Sequence, residues 1–285
     1  RKGMKRMHYK IVGDSSCDIS KEMEAEMNIE LAPLTFTLDG EEFVDDETLD
    51  LDDYLRKIDA SENVPKSACP SIQTYLQKFE GPHDWTFGVT LSSELSGSYN
   101  SAVNAMRQFL EKFPEKKGHI FNSKAAASKE VLIALKIDEL AKIGKKFEQI
   151  VEEVETYIEQ TKVLFVLDKI DTLEKNGRLS KMKSRIIRAL NLKLILTTDK
   201  DGAIVSGTQA RGSKKAMKKL VEEMKNYGTI SKDNLVAIAH CNAPERAQYV
   251  KELIENMYEF RDVVIVKTRG LSSTYANEGG VIVSF

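Results

Sequence analysis

The chain has 285 residues, of which 41% are hydrophobic and 30% charged, a composition ordinary for a globular protein with one large domain or two lobes. Its formal net charge of −2 at pH 7 lacks the positive excess on which most binders of the phosphate backbone depend, so we predict no nucleic-acid partner. No apolar stretch approaches the ~18 consecutive residues of a membrane-spanning helix, and we expect no segment that crosses a bilayer.

The chain begins with a basic stretch, residues 1–7, which polar residues follow instead of the apolar core of a secretion signal. We therefore expect a cytoplasmic protein, with Met4 or Met7 as its natural start. The cysteines agree with this location. They are three in number and form no C-x-x-C pair, which favours free thiols over disulfides or a zinc site.

Short apolar runs alternate with helical patterns in the first half of the chain, which is typical of a parallel sheet covered by helices. The predicted strands are Tyr9–Gly13, Trp85–Thr90 and His119–Phe121. The predicted helices are Leu95–Phe113, Ala125–Ile143 and Phe147–Gln160. We place the end of this lobe at residue 160, where a charged helix gives way to an apolar strand.

The second half contains a hairpin signal and therefore predicts a different sheet. The predicted strands are Lys162–Leu167, Leu192–Thr198, Ala203–Gln209, Leu235–His240 and Val263–Lys267, and the predicted helices are Lys214–Tyr227 and Pro244–Tyr258. A turn at 199–202 that ends in glycine joins two of these strands, which indicates antiparallel pairing. The predicted fold class is α/β with two lobes: residues 8–160 with a parallel sheet, residues 161–285 with a mixed or antiparallel sheet, and the ligand at their junction.

Several common catalytic signatures are absent from the sequence, among them the P-loop, the dinucleotide-binding glycine pattern, the nucleophile elbow and the zinc-protease helix. Only four histidines are available for acid–base or metal chemistry. His240 and Cys241 are adjacent at a strand end, but neighbouring strand residues point to opposite faces, which favours a core or loop role over a reactive pair. We predict no metal and no cofactor.

Clusters of serine lie at the ends of predicted elements at residues 14–18, 67–71 and 92–99. The carboxyl ends of strands form the ligand crevice of an open α/β sheet, and helix N-termini there present N–H groups to an anion. Each cluster alone is better explained as a helix cap or a turn, because serine and aspartate are common in both. The three clusters together favour an anionic ligand.

These clusters resemble those of the DegV family, whose better understood members are the fatty-acid-binding subunits of bacterial fatty acid kinase. The family's Asp-x-Ser-x-Asp turn is matched by DSSCD at 14–18, its Ser/Thr-Pro-Ser element by SACPS at 67–71, and its S-S-x-L-S-G-[ST]-Y element by SSELSGSY at 92–99. Two later elements are also similar, DTLEKNGR at 171–178 and RGSKK at 211–215. The resemblance spans nearly the whole chain, and its third element is the most specific.

The resemblance implies two α/β lobes, with the acyl chain of a fatty acid in a tunnel between or beneath them. It implies that Ser67 and Ser93 hydrogen-bond the carboxyl group. Ser96 and Gly97 would shape the start of the following helix, and Arg178 would reach the carboxylate or its phosphorylated product. A separate ATP-binding partner would phosphorylate the bound acid, so that the chain itself would be a carrier and not an enzyme.

The sequence departs from the family pattern at several places, among them Glu94, which occupies a position often held by glycine. Many members end with a His-x-Gly-Pro-Gly element whose histidine contacts the carboxyl group, whereas residues 271–280 contain no histidine. We predict that Thr274 or Tyr275 donates a hydroxyl in its place. Residues 125–127 are alanines where the family has glycines.

Two basic features have simpler explanations beside the functional ones. Arg178 lies four residues after Glu174, so a surface ion pair is the alternative to a ligand contact. The basic segment 181–188 is better explained as a solvated helix face. A docking surface for an acidic partner, or for transient contact with an anionic membrane, is the alternative.

We therefore predict a carrier that binds a long-chain fatty acid and presents its carboxylate to a separate kinase. Two alternatives from other classes stay open: a free-standing acyl hydrolase or transferase that uses Cys69 or Ser93, and a regulatory module that binds another small anion. Release of a fatty acid on denaturation favours the first function. Turnover of acyl esters without a partner favours the second, and tight binding of a short anion favours the third.

Overall fold

The computed structural model describes residues 8–179 and 191–285. The basic start at residues 1–7 and the basic segment 181–188 lie outside these described residues. Within the described ranges, no helix is both long enough and apolar enough to cross a membrane.

The first part of the chain folds around a four-stranded parallel sheet. In chain order its elements are β1 (Tyr9–Asp14), α1 (Lys21–Glu26), β2 (Ile29–Ala32), β3 (Thr35–Leu38), β4 (Glu41–Val44), α2 (Leu51–Ala60), β5 (Lys66–Ala68), α3 (Ile72–Phe79), β6 (Trp85–Thr90), α4 (Ser98–Lys112), β7 (Lys117–Asn122), α5 (Ser128–Lys142) and α6 (Phe147–Gln160). The parallel sheet has the order β2-β1-β6-β7. β1 is buried along its whole length, as expected for a parallel strand covered on both faces.

A small antiparallel sheet with the order β4-β3-β5 belongs to the same part of the chain, and the sequence patterns do not predict it. Its strands have no more than four residues each, so packing has to stabilise them. Phe36 of β3 is fully buried and stacks on Tyr54 of α2, with ring centroids 5.3 Å apart. β5 pairs Ser67 with Phe36 and thereby fixes the position of the second serine cluster.

The second part folds around a six-stranded mixed sheet. In chain order its elements are β8 (Val163–Val166), α7 (Asp171–Lys175), β9 (Leu192–Thr198), β10 (Ile204–Arg211), α8 (Ser213–Tyr227), β11 (Leu235–His240), α9 (Pro244–Met257), β12 (Asp262–Lys267), α10 (Gly270–Ala276) and β13 (Val281–Ser284). The sheet order is β10-β9-β8-β13-β11-β12, in which β11 and β12 are parallel and the other pairs antiparallel. The predicted fold class, a parallel first sheet and a mixed second sheet, is confirmed.

The predicted hairpin is also confirmed, because β9 and β10 pair antiparallel across the turn at 199–202. Gly202 has a φ of +98°, a conformation that glycine adopts without steric cost. The hairpin tip rests on the first part of the molecule, since the Ser92 hydroxyl donates to the Gly202 carbonyl at 2.8 Å. A side chain at position 202 would collide with that hydroxyl.

Helix α5 lies between the two larger sheets and packs on both. It contacts β1 and β6 of the first sheet and β11 and β13 of the second. The Ser128 hydroxyl, at its first position, hydrogen-bonds that of Ser284 at 2.8 Å. The lobe boundary that we predict after residue 160 falls in the connection between α6 and β8. It stays a prediction, because the core cluster that contains buried residues of α5 also includes Ala239 and Val266 of the second sheet.

Candidate functional site

A cavity opens between the two parts of the molecule, with walls from both. Its volume is about 770 Å³ when the open space at its mouth is included. Most of its wall is apolar, and representative side chains are Leu34, Leu91, Leu95, Phe165, Leu173 and Ile204. The polar side chains on the wall include Ser16, Ser67, Ser96, Arg178, Ser272 and Tyr275.

The apolar wall consists of two clusters of buried side chains that face each other. Leu34, Leu91 and Leu271 belong to a cluster beneath the small sheet. Phe165 and Leu173 belong to a cluster on the second sheet. An apolar ligand between these clusters would itself leave water, which is favourable in proportion to the apolar area of the ligand that is buried.

The hydroxyls of Ser67 and Tyr275 meet at one end of the cavity, 2.9 Å apart, although 208 residues separate them in the sequence. β5 positions Ser67, and the short helix α10 positions Tyr275. Both side chains are half-buried. One of the two hydroxyls donates to the other, which leaves the second hydroxyl hydrogen for a ligand.

Arg178 reaches the same end of the cavity from the loop after α7. Its Nε donates to the Leu95 carbonyl at 3.1 Å, and its Nη1 donates to the Asn176 carbonyl. The Asn176 side chain donates to the Pro65 carbonyl at 2.7 Å, which ties this loop to the segment that carries Ser67. A guanidinium has five N–H groups, and the two bonds above leave three of those of Arg178 without a partner among the described residues. The alternative ion pair with Glu174 does not form in the described part of the chain.

The third serine cluster divides between the cavity and the surface. Ser96 lies on the cavity wall. Ser93 is exposed and is not part of this wall, and its hydroxyl accepts a hydrogen bond from Asn122 at 2.8 Å. Gly97 is exposed at the N-cap of α4, where it shapes the helix start without lining the cavity. Ser93 therefore lies outside the cavity wall and Ser96 lies on it, and the headgroup role that we predicted for Ser93 stays a prediction.

The two hydroxyls that we considered in place of the family histidine have different surroundings on α10. Tyr275 faces the cavity and Ser67, as described above. Thr274 is fully buried and is not on the wall. Its hydroxyl bonds the Tyr54 hydroxyl at 2.9 Å and the Gly270 carbonyl at 2.7 Å. Tyr275 is thus the member of the pair that can reach a ligand.

We call the end of the cavity formed by Ser67, Ser96, Arg178 and Tyr275 the mouth, because all four side chains are half-buried. Two further wall residues, Ser16 and Ser272, are buried and were not among the predicted site residues. Ser16 belongs to the first serine cluster, which is the sequence signal that points to it. Ser272 lies about one helical turn before Tyr275, so α10 places both side chains on the same face. The sequence gives no signal for this helix and therefore none for Ser272.

A group of buried carboxyl groups lies at and around the first serine cluster, and we call it the inner cluster: Asp14, Asp18, Asp45 and Glu130. Burial raises the pKa of Asp14, although hydrogen bonds from Ser98 and from the Leu91 amide oppose the shift. Burial also raises the pKa of Asp18, to about 8. The pKa of Glu130 is raised well above its ordinary value by burial and by the nearby charge of Asp14. In each of these three acids burial therefore favours the neutral form over the ionised one.

The geometry does not assemble the catalytic pair that an acyl hydrolase needs. Each of the four histidines, all within the described ranges, is bonded elsewhere, to Asp84, Thr86, Glu155 and the Ala243 amide, respectively. Cys69 is exposed, and its sulfur has the Ser101 hydroxyl at 3.8 Å. Cys241 is buried, in agreement with the core role preferred for it. Neither Cys69 nor Ser93 has a histidine base.

Comparisons with known proteins agree on one family. A family model described as "Uncharacterised protein, DegV family" matches residues 8–285. A DegV domain-containing protein of Streptococcus pneumoniae is 36% identical over 281 residues, which is 98% of this chain and 99% of that protein.

Two solved structures are similar over nearly the whole chain. A DegV family protein from Ruminococcus gnavus, described with vaccenic acid, has a TM-score of 0.95 and 40% identity, over 98% of this chain and 100% of that one. The Streptococcus pneumoniae fatty acid kinase (Fak) B3 protein, loaded with linoleic acid, has a TM-score of 0.90 and 35% identity, over 98% and 99%.

Proposed function

This chain belongs to the DegV family, and we propose that it binds a long-chain fatty acid and presents the carboxylate to a separate kinase. One observation carries the proposal: the cavity between the two parts has apolar walls, and its half-buried hydroxyl and guanidinium groups lie together at the mouth. Similar structures hold vaccenic acid and linoleic acid, which are acids of this class.

The apolar walls would supply the affinity. Burial of a chain of roughly 16–18 carbons at ~0.8 kcal/mol per methylene gives on the order of 12 kcal/mol before costs. This is enough for tight binding after the loss of translational and rotational freedom. Selectivity for chain length would follow from how far the chain extends between the two apolar clusters.

The mouth would hold the carboxylate. A buried carboxylate without partners costs far more than one hydrogen bond returns, so several donors have to converge on it. The hydroxyls of Ser67, Ser96 and Tyr275 and the guanidinium of Arg178 are the donors placed to do so. In this proposal the carboxylate stays near solvent, where an enzyme can reach it, and the acyl chain stays covered.

The chemistry would belong to a partner. The sequence has no nucleotide-binding motif, and the serine and cysteine nucleophiles have no histidine base. A chain of this kind can take part in phosphoryl transfer by presenting the acid to an enzyme that binds ATP. The similarity to the fatty acid kinase B3 protein supports this assignment.

The first test is to denature freshly purified protein, extract it and identify the released lipid by mass spectrometry. Binding of saturated acids of increasing length is then measured by titration. We expect affinity to rise by up to roughly ten-fold for each two carbons added. Equal binding of acetate and palmitate would instead favour a module for a small anion, and turnover of acyl esters by the chain alone would favour a hydrolase.

The second test compares two arginines. Arg178→Gln removes the charge at the mouth, and we expect a roughly ten- to hundred-fold loss of palmitate affinity, since hydrogen bonds to charged groups are worth about 1.5–3 kcal/mol. Arg107→Gln is the matched control, because Arg107 is exposed on α4 and bonds only its neighbour Asn104 among the described residues. Equal affinity of the two variants would contradict the proposed headgroup site.

A further inference from the structure

Helix α10 follows the last parallel strand of the second sheet, but its N-terminus is bound by carboxyl groups of the first part of the chain. Asp45 accepts hydrogen bonds from the Gly270 and Leu271 amides, both at 2.8 Å. Asp18 accepts one from the Arg269 amide at 2.7 Å. The first amides of a helix have no partner within the helix, so these two carboxyl groups satisfy them from across the molecule.

The approach of Asp45 to α10 leaves no space for adjustment. Asp45 is 3% exposed. A Cβ atom at Gly270 would lie 2.4 Å from Asp45 Oδ1 and 2.7 Å from a methyl carbon of Leu49. Only glycine at position 270 therefore permits this contact, and the helix cannot shift along its axis without breaking two hydrogen bonds.

A second contact fixes the rotation of the helix about its axis. Thr274 donates to the Gly270 carbonyl at 2.7 Å, so its oxygen can accept the bond that joins it to the Tyr54 hydroxyl at 2.9 Å. Tyr54 is fully buried on α2 and packs on the rings of Phe36 and Phe43. Consecutive helical residues are about 100° apart around the axis. Holding Thr274 against Tyr54 therefore decides where the next residue, Tyr275, points.

We propose that Asp45 and Tyr54 are positioning residues for the carboxylate site: they hold α10 so that the Tyr275 hydroxyl meets Ser67 at the mouth. The inference rests on the proposed function, since it concerns the same site. Neither residue lies on the cavity wall, so each would act on the ligand through Tyr275. The Tyr275 hydroxyl lies at the far end of a long side chain. A small rotation of α10 would therefore separate it from Ser67.

The simpler explanation is that these contacts stabilise the fold and do nothing more, and a coupling experiment separates the two. Tyr54→Phe removes only the hydroxyl that holds Thr274. Palmitate affinity is measured for this variant in the natural background and in a Tyr275→Phe background. We expect a roughly 3- to 10-fold loss of affinity in the first, the size of one hydrogen bond, and less than about a two-fold loss in the second, because no Tyr275 hydroxyl is left to misplace.

Tyr9→Phe is the matched control. Tyr9 is also buried, and its hydroxyl donates to Asp138 at 2.6 Å, within the first part and away from α10. Its loss should lower stability without changing palmitate affinity in either background. Asp45→Asn, which removes the charge and turns one acceptor into a donor facing an amide, should repeat the Tyr54→Phe pattern with a larger loss.

Each result decides the inference. An equal loss of affinity in both backgrounds, or no difference between Tyr54→Phe and Tyr9→Phe, overturns the positioning role while palmitate binding by the natural chain still supports the carrier. Absence of palmitate binding by the natural chain and by Tyr9→Phe overturns the carrier itself, and the positioning role with it.

Discussion

The mouth and the inner cluster are both polar regions that include residues of the three serine clusters, yet they are organised in opposite ways. The mouth has half-buried side chains, with donors left over after their internal hydrogen bonds are counted. The inner cluster has fully or almost fully buried carboxyl groups, of which Asp14, Asp18 and Asp45 accept backbone amides. The comparison teaches that exposure separates the two regions: the donors at the mouth stay accessible, whereas the carboxyl groups of the inner cluster are closed off from solvent.

The two regions also differ in the kind of damage that a substitution should cause. Loss of an inner carboxyl group leaves buried backbone amides without a hydrogen-bond acceptor and should reduce the free energy of unfolding. Loss of a mouth hydroxyl exposes nothing new to an apolar environment, so it should reduce ligand affinity and leave stability almost unchanged. An inner-cluster substitution that lowers only ligand affinity, or a mouth substitution that lowers only stability, would contradict this distinction.

The largest effect is expected at Asp14 of the inner cluster. Its carboxylate accepts from the Leu91 amide at 3.0 Å, the Ser16 amide at 3.1 Å and the Ser98 hydroxyl at 2.6 Å. Asp14→Ala leaves these buried donors without a partner, and we expect a loss of about 3–5 kcal/mol in the free energy of unfolding. Urea unfolding measures it.

Asp50→Ala is the matched control for that substitution. Asp50 also accepts a backbone amide, that of Asp53 at 2.9 Å, but it does so at the exposed start of α2. We expect a loss of about 1 kcal/mol, the usual value of a helix N-cap. Equal losses for Asp14→Ala and Asp50→Ala would mean that the inner cluster is not the structural region described above.

A pH dependence should separate the inner cluster from the mouth as well. The pKa of Asp18 is raised from 3.8 to about 8 by burial, with the charge of Asp45 adding to the shift and the Arg269 amide opposing it. Because the folded state holds this proton more tightly than the unfolded state, the contribution of Asp18 to stability is complete below about pH 4. It is lost as the pH rises to about 8, at a slope on the order of 1 kcal/mol per pH unit.

Asp18→Asn removes this titration and keeps an oxygen for the Arg269 amide. We expect the stability of the variant relative to the natural chain to rise between about pH 4 and pH 8 and to level off above pH 8. Chemical unfolding at a series of pH values measures the difference. A difference that stays constant across this range would contradict the raised pKa.

The smallest effects distinguish two serines three residues apart. Ser96→Ala removes a hydroxyl from the cavity wall, and we expect a roughly 2- to 10-fold loss of palmitate affinity, as for one neutral hydrogen bond. Ser93→Ala changes an exposed side chain outside the wall and should alter affinity by less than about two-fold. A larger loss of affinity for Ser93→Ala than for Ser96→Ala would support the headgroup role predicted for Ser93. The carboxylate site would then lie nearer to the protein surface.

The sequence alone determined the large features. Apolar runs, helical spacing and the glycine-bearing turn at 199–202 specify the long strands and helices and the antiparallel hairpin, because these depend on local periodicity and turn chemistry. The ordered serine motifs specify the family. They also place hydroxyl groups near strand ends, which is where the cavity forms.

Tertiary structure alone decided which hydroxyls face the cavity. The short strands β3, β4 and β5 and the helix α10 carry too few residues for a recognisable period, and packing between distant segments stabilises them. Thr274 and Tyr275 are adjacent in the sequence, yet Tyr54 holds one inside the protein and thereby directs the other to the cavity. Ser93 and Ser96 precede the same helix, and the loop conformation before α4 sends only Ser96 to the wall. Side-chain direction at such positions depends on contacts between residues far apart in the chain, and local sequence does not encode those contacts.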